Sequence, residues 1–139
     1  MTHISWDQIA HDTHKLVEQI RQRNIQYDLI VGLMRGGCVP ACTLSNALDV
    51  PMLCMGVKTY ENQRQTGVVD VYQSFISDMY NMRENKKIQR ALFVDDLSDT
   101  GDTFDFVCDT YRAYFDSIDT AALYVKTGTI HLPTYWSVS

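Results

Sequence analysis

Apolar residues recur along this chain with two periods, and the switches between them outline its elements. Trp6, Ile9, Ala10, Thr13, Val17 and Ile20 share one face at helical spacing. Ser5 and Gln8 ahead of them form an S-x-x-Q capping box, so the first element is predicted to be an amphipathic helix. Tyr27 to Leu33 (YDLIVGL) is a continuous strand-forming run, followed by Met34, Arg35, Gly36 and Gly37 as a loop. Pro40 then stands in the first turn of a helix carried by Ala41, Leu44, Ala47 and Leu48.

Val50 to Tyr60 predicts the next strand, and Val68 to Phe75 a strand pairing back on it as a hairpin. Between them the polar stretch Glu61 to Gly67 reads as a mobile loop, and Ser77 to Gln89 as an irregular or partly helical connection. Ala91 to Val94 is a short apolar run suited to a strand buried on both faces, ending abruptly in Asp95 and Asp96. Ser98 to Thr103 forms a turn, after which Phe104, Val107, Cys108, Tyr111 and Phe115 repeat at helical spacing. Ile118 to Val125 is a further strand running into Lys126, and Leu132 to Val138 a final one. Strands alternating with helices predict an α/β fold with a mainly parallel central sheet flanked by helices. Ligands in such sheets gather at the strands' carboxyl ends, where Arg35, Asp95, Asp96 and Lys126 all fall.

With 139 residues, 45% hydrophobic and 21% charged, the chain is expected to form a single domain over residues 1–139. The N-terminus lacks a basic region followed by an apolar stretch, and no segment approaches the roughly 18 apolar residues of a membrane helix. A cytoplasmic location without membrane association is the expectation. Cys38, Cys42, Cys54 and Cys108 contain no C-x-x-C pair and read as buried reduced thiols; His11 and His14 read as surface or packing residues, with no structural metal assigned.

A net charge of −5 argues against a nucleic-acid partner. Between Asp95 and Asp119 stand eight Asp and one basic residue, Arg112, so an anionic ligand bound there is expected to arrive with a divalent cation. A magnesium-complexed phosphate ester suits that field. Side chains alternate along an extended backbone, so Asp95 and Asp96 are expected to point apart, one toward a ligand and the other supporting the site. Such a pair suits a vicinal diol or a hydrated magnesium ion. An isolated D-D pair would be read as capping a turn; here it precedes S-D-T-G-D-T, a turn rich in hydroxyls and backbone N–H groups that can hold a phosphate at a helix N-terminus. Gly36 and Gly37 allow close backbone approach, and Arg35 offers a planar fork for phosphate oxygens. Arg64 and Lys126 have bland readings as solvated or strand-end cations, and Tyr135 and Trp136 read either as core or as a stacking surface.

LFVDDLSDTGDT resembles the phosphoribosyl-diphosphate signature of the type I phosphoribosyltransferases, two hydrophobics and two acids ahead of a D-T-G-x-T loop. The nearer resemblance is to the small xanthine-guanine and hypoxanthine phosphoribosyltransferases, through the helix beginning WD, IVGLMRGGCVPA, the Y-x-N-Q-R loop and the A-x-L-Y-x-K strand. It implies the type I phosphoribosyltransferase fold, with a mobile hairpin loop. It further implies that Asp95 and Asp96 serve the ribose hydroxyls and magnesium, and that Asp99, Thr100, Gly101, Asp102 and Thr103 wrap the 5′-phosphate. Arg35 and Gly36 would hold the diphosphate, with Arg64 closing from the hairpin. Asp99 would act near the purine N7 as general base or proton carrier, and Lys126 would donate to the 6-oxo group.

The activity implied is transfer of the phosphoribosyl group from 5-phosphoribosyl 1-diphosphate to guanine, xanthine or hypoxanthine, by a magnesium-dependent homo-oligomer, a dimer or tetramer. The alternatives are the same chemistry on another base and a non-catalytic relative that binds phosphoribosyl diphosphate as a signal. Family members continue past a segment like PTYW into a hood that stacks on the purine. In this sequence, which ends at Ser139, a shortened C-terminal hood is expected, with Trp136 serving for it or base binding weakened or borrowed from another subunit. Asp102 stands where close relatives often carry Gly, and its side chain is expected to point away from the phosphate.

Overall fold

A computed structural model describes residues 4–62, 65–82, 88–99, 101–126, 128–129 and 131–138. The first helix, α1 (Trp6–Arg23), starts where the capping pattern places it: Gln8 N–H donates to Ser5 Oγ at 3.1 Å. The reciprocal half of the box is absent, because the Gln8 side chain donates to Asp12 Oδ1 instead. The buried stripe is Asp12, Thr13, Leu16, Val17 and Ile20, whereas Trp6, assigned to that face from the sequence, is 73% exposed at the helix's first residue. Asp12 is tolerated inside because Tyr124 Oη donates to its second carboxylate oxygen at 3.0 Å.

The chain continues as β1 (Leu29–Met34), α2 (Cys38–Leu48), β2 (Met52–Asn62), β3 (Gln65–Gln73), α3 (Ile76–Met82), β4 (Arg90–Ser98), α4 (Asp102–Tyr111), a 3-10 turn, β5 (Ser117–Val125) and β6 (Tyr135–Val138). The strands form one sheet in the order β3-β2-β1-β4-β5-β6, parallel except for the β2–β3 hairpin. Ala91, Leu92, Phe93 and Val94 are fully buried at its centre, as their unbroken apolar run predicts. Leu92 and Val94 face a core with Leu16, Ile20, Ala41 and Leu44 of α1 and α2. Ala91 and Phe93 face the other layer, where Phe75, Tyr111 and Phe115 pack on Phe93. No helix among the described residues is long and apolar enough to cross a membrane.

One stretch departs from the expected pattern. The polar segment read as a loop is largely strand, since the hairpin ladder runs out to Asn62 opposite Gln65. Antiparallel pairing at a sheet edge satisfies the backbone whatever the side chains' polarity. The segment after β3 contains a definite helix, α3, whose first amide bonds to Ser74 Oγ at 3.2 Å.

From β1 the chain moves outward to β2 and β3 on one side, while β4, β5 and β6 extend the other side. The order therefore reverses between the carboxyl ends of β1 and β4, where doubly wound sheets open their ligand crevice.

Candidate active site

β1 stays paired with β4 only as far as Gly32 opposite Val94, and then turns away into Arg35, Gly36 and Gly37. β4 itself runs on to Ser98 alongside β5. The acids thus lie inside a strand on the β5 side and at a strand end on the β1 side, rather than simply terminating it. Into the gap left by β1 comes the R-G-G loop. A Cβ on Gly36 would lie 2.1 Å from Asp96 Oδ2, and one on Gly37 would lie 2.4 Å from Val94 O and 2.9 Å from Asp95 Cα. At Gly37, where the neighbours are backbone atoms, only hydrogen lets the loop seat on the strand, and at Gly36 a methyl would push the Asp96 side chain aside. The Met34–Arg35 peptide entering it is cis.

The two carboxyls are closer than strand alternation predicts. Asp95 Oδ1 folds back to accept the Asp96 N–H at 2.8 Å, and the two side chains also share a hydrogen bond. Asp96 Oδ1 likewise accepts the Leu97 N–H at 2.9 Å. The Asp95 carboxyl is pushed up to about 8, first by burial, then by the hydrogen bond and charge of Asp96, with the Asp96 backbone amide pulling the other way. The pair is one strained ionisation that a cation would relieve. Among the described residues no group of three or more His, Cys, Asp or Glu is placed to hold a metal ion alone. Two carboxyls alone match a magnesium ion that keeps most of its waters.

Beyond Ser98 the chain turns through Asp99 into α4. Gly101 occupies the N-cap at φ 92°, and a Cβ there would lie 2.5 Å from His131 O, so glycine is demanded by both conformation and space. Asp102 and Thr103 open the helix's first turn, leaving backbone N–H groups aimed into the turn. Across from it, Lys126 Nζ lies 3.3 Å from Asp99 Oδ1, and Lys126 N–H donates to Ser98 O at 3.0 Å. The Thr129 hydroxyl reaches Asp99 O at 2.5 Å and Lys126 O at 2.6 Å, tying the two loops together. Thr129 and His131 carry no signal in the sequence beyond that of a loop.

Arg35 lines a cavity of about 750 Å³ between the loop and the hairpin stem, together with Lys58, Asp70 and Tyr72. Lys58 is a second cation there that the strand pattern concealed. The Tyr72 ring lies against Gly56, where a Cβ would come within 2.3 Å of it. Arg64 and Thr100, both predicted site residues, lie outside the described residues. Trp136 is half-buried against the α4-side core, pairs with Ala122 along β5, and accepts from Gln19 Nε2 through its carbonyl at 2.8 Å. Tyr135 is core, its hydroxyl 2.8 Å from that of Tyr27.

The sequence profile of the phosphoribosyl transferase domain matches residues 5–136. The chain belongs to the phosphoribosyl transferase domain family. It is 33% identical over 123 residues to the xanthine-guanine phosphoribosyltransferase of Cereibacter sphaeroides, covering 84% of this chain and 69% of that protein. To the enzyme of the same name from Chromohalobacter salexigens it is 35% identical over 101 residues, 72% of this chain and 55% of the relative's length. The purine phosphoribosyltransferase of Pyrococcus horikoshii superposes with a TM-score of 0.77 at 28% identity, covering 99% of this chain and 87% of that structure. This phosphoribosyl transferase domain therefore spans between about half and two-thirds of the length of these two curated relatives.

Proposed function

We propose that this chain transfers the phosphoribosyl group of 5-phosphoribosyl 1-diphosphate to a 6-oxopurine, guanine, xanthine or hypoxanthine, forming the nucleoside 5′-monophosphate and diphosphate in purine salvage. The observation that carries the reading is the seating of Gly36 and Gly37 directly on Asp96 and Asp95, which joins a phosphate-binding loop to a carboxyl pair at the sheet's crevice. A sugar phosphate bearing a diphosphate needs both at once, with a second anion site for its 5′-phosphate at the turn before α4.

In this reading the amides of the Gly101 turn hold the 5′-phosphate and fix the ribose, while Arg35 and the loop amides hold the diphosphate. Lys58, lining the same cavity as Arg35, adds positive charge toward the departing group. Asp95 and Asp96 would hold magnesium, which when bound supplies charge to the diphosphate and to the ribose hydroxyls. Breaking the C1–O bond leaves positive charge on the sugar and negative charge on the diphosphate, and the cations on this chain stabilise the latter. As the purine nitrogen bonds to C1, its proton must depart, and Asp99 is the carboxylate beside the base site. Lys126 donates to the 6-oxo group. The hairpin carrying Arg64 closes over the cavity and keeps water from the cationic sugar.

The enzyme is cytoplasmic and works as a homo-oligomer in this reading. Exposed Ile4, Trp6, Val39 and Leu97 line an apolar hollow of about 570 Å³ beside Asp96, a surface suited to a second copy. The function is tested by incubating the chain with phosphoribosyl diphosphate, magnesium and a panel of purines and pyrimidines. Nucleotide is expected with 6-oxopurines. Product with adenine or a pyrimidine alone would reassign the base, and no product with any base would reduce the chain to a binder.

A further inference from the structure

Behind the R-G-G loop, on the α2 side of the sheet, two thiols meet. Cys38 opens α2 and Cys54 lies in β2 directly opposite Gly32 of β1. The missing side chain of Gly32 creates the space: a Cβ there would lie 3.2 Å from Cys38 Cα and 3.3 Å from Cys38 Sγ. In that space Cys38 Sγ donates to Cys54 Sγ across 2.9 Å. Both are free thiols and partly buried, while Cys42, one helical turn further along α2, is exposed.

We infer that Cys38 and Cys54 are a redox modification site, oxidised to a disulfide that fastens the base of the R-G-G loop to β2. The sulfurs need to close by only about 0.9 Å to reach a bonding distance of about 2.05 Å, and the fold already holds them side by side. The oxidant is a low-molecular-weight disulfide. Cys54, which accepts the hydrogen bond, attacks it as thiolate and forms a mixed disulfide, expelling one thiolate. Cys38 then loses its proton and attacks Cys54 Sγ, expelling the second. Two electrons pass from the protein thiols to the oxidant, and the two protons end on the two small thiols released. Burial, followed by the contact with Cys54, pushes the Cys38 thiol up to about 12, so its deprotonation makes the closing step the slow one, and it is the proximity of Cys54 Sγ that lets it proceed. The link acts on the site because the Cys38 N–H donates to Arg35 O, so the first residue of α2 anchors the loop. That consequence rests on the proposed function; formation of the bond does not.

The test is to treat the folded full-length chain with oxidised glutathione, alkylate the remaining thiols, and map the disulfide by peptide mass spectrometry. A Cys38–Cys54 linked peptide is expected, with Cys108 alkylated. The oxidised protein should unfold at a higher temperature, reverting on reduction. Cys42→Ser should keep the link, and Cys54→Ser should leave Cys38 alkylatable. Cys38 and Cys54 both alkylated after oxidation, or Cys38 linked to Cys42 instead, would overturn the inference. The wild-type map decides the matter even if a variant fails to fold, and it is independent of whether the chain forms nucleotide.

Discussion

Lys126 Nζ stands 3.3 Å from Asp99 Oδ1, so a cation at the end of β5 and a carboxylate at the end of β4 face each other across the crevice mouth. Both side chains are substantially exposed, and an exposed pair of this kind contributes little stability. Its position matters more than its energy. A purine entering between them can take a hydrogen bond from Lys126 and present a proton to Asp99.

Lys126→Ala should therefore weaken 6-oxopurine binding. Losing a hydrogen bond to a charged donor costs about 1.5 to 3 kcal/mol, or roughly 10- to 100-fold in the purine KM. In the proposed reading Lys126 meets only the base, so the KM for phosphoribosyl diphosphate should stay within about twofold. Steady-state kinetics with each substrate varied in turn provides the check. An unchanged KM for every purine would remove Lys126 from base recognition.

Asp99→Asn keeps the shape and the acceptor toward Lys126 but loses the proton acceptor. Turnover should fall by about 10² to 10⁴, the usual contribution of a positioned general base, with phosphoribosyl-diphosphate affinity retained. A single-turnover assay alongside calorimetric binding separates the two quantities. Full turnover in the variant would exclude Asp99 from proton transfer.

Gly36→Ala tests the seating of the loop. The new methyl group would be driven onto Asp96 Oδ2, so the Asp96 carboxyl must swing away from its place beside Asp95. Affinity for diphosphate with magnesium, measured by calorimetry, should fall by tenfold or more, about 1.4 kcal/mol. The methyl meets only the exposed Asp96 side chain, so the unfolding midpoint should stay nearly unchanged.

Asp95 gives the chain a pH signature. Its carboxyl sits at about 8, above its unfolded value, so the native state favours the protonated form. Its stabilising contribution is complete below about pH 4 and is lost as pH rises toward 8. In metal-free protein at pH 8.5 to 9, Asp95→Asn should thus raise stability, on the order of 2 kcal/mol. Magnesium should raise the wild-type unfolding midpoint at that pH and leave the variant's almost unmoved. Thermal melts across pH with and without the ion would show it; a wild type insensitive to magnesium would contradict the assignment of the acid pair.

Much of this site was legible before any coordinates. The Ala91 to Val94 run is buried on both sides, and a run of that kind has few other places in a fold. Glycines at 37 and 101 are required by a close backbone approach or a positive φ, and Gly36 lies against the Asp96 carboxyl, so R-G-G and D-T-G mark loops whose backbones touch something. What stayed hidden depends on partners far along the chain. Asp12 is inside because Tyr124, 112 residues away, bonds it; Lys58 reaches the Arg35 cavity only because β2 lies beside β1. The proximity of the Asp95 and Asp96 carboxyls escaped the alternation rule because the Asp95 side chain folds back on the next amide. Trp6 shows the limit of periodicity, which assigns a face without showing where along a helix the packing begins.

Transfer of phosphoribosyl to a purine can be followed by phosphorus NMR of the chain mixed with phosphoribosyl diphosphate, magnesium and guanine. Diphosphate and nucleoside monophosphate should appear together in equal amounts, with both signals lost when guanine is omitted. Phosphoribosyl diphosphate left intact with guanine, xanthine and hypoxanthine, or cleaved without any nucleotide, would contradict the proposed transfer.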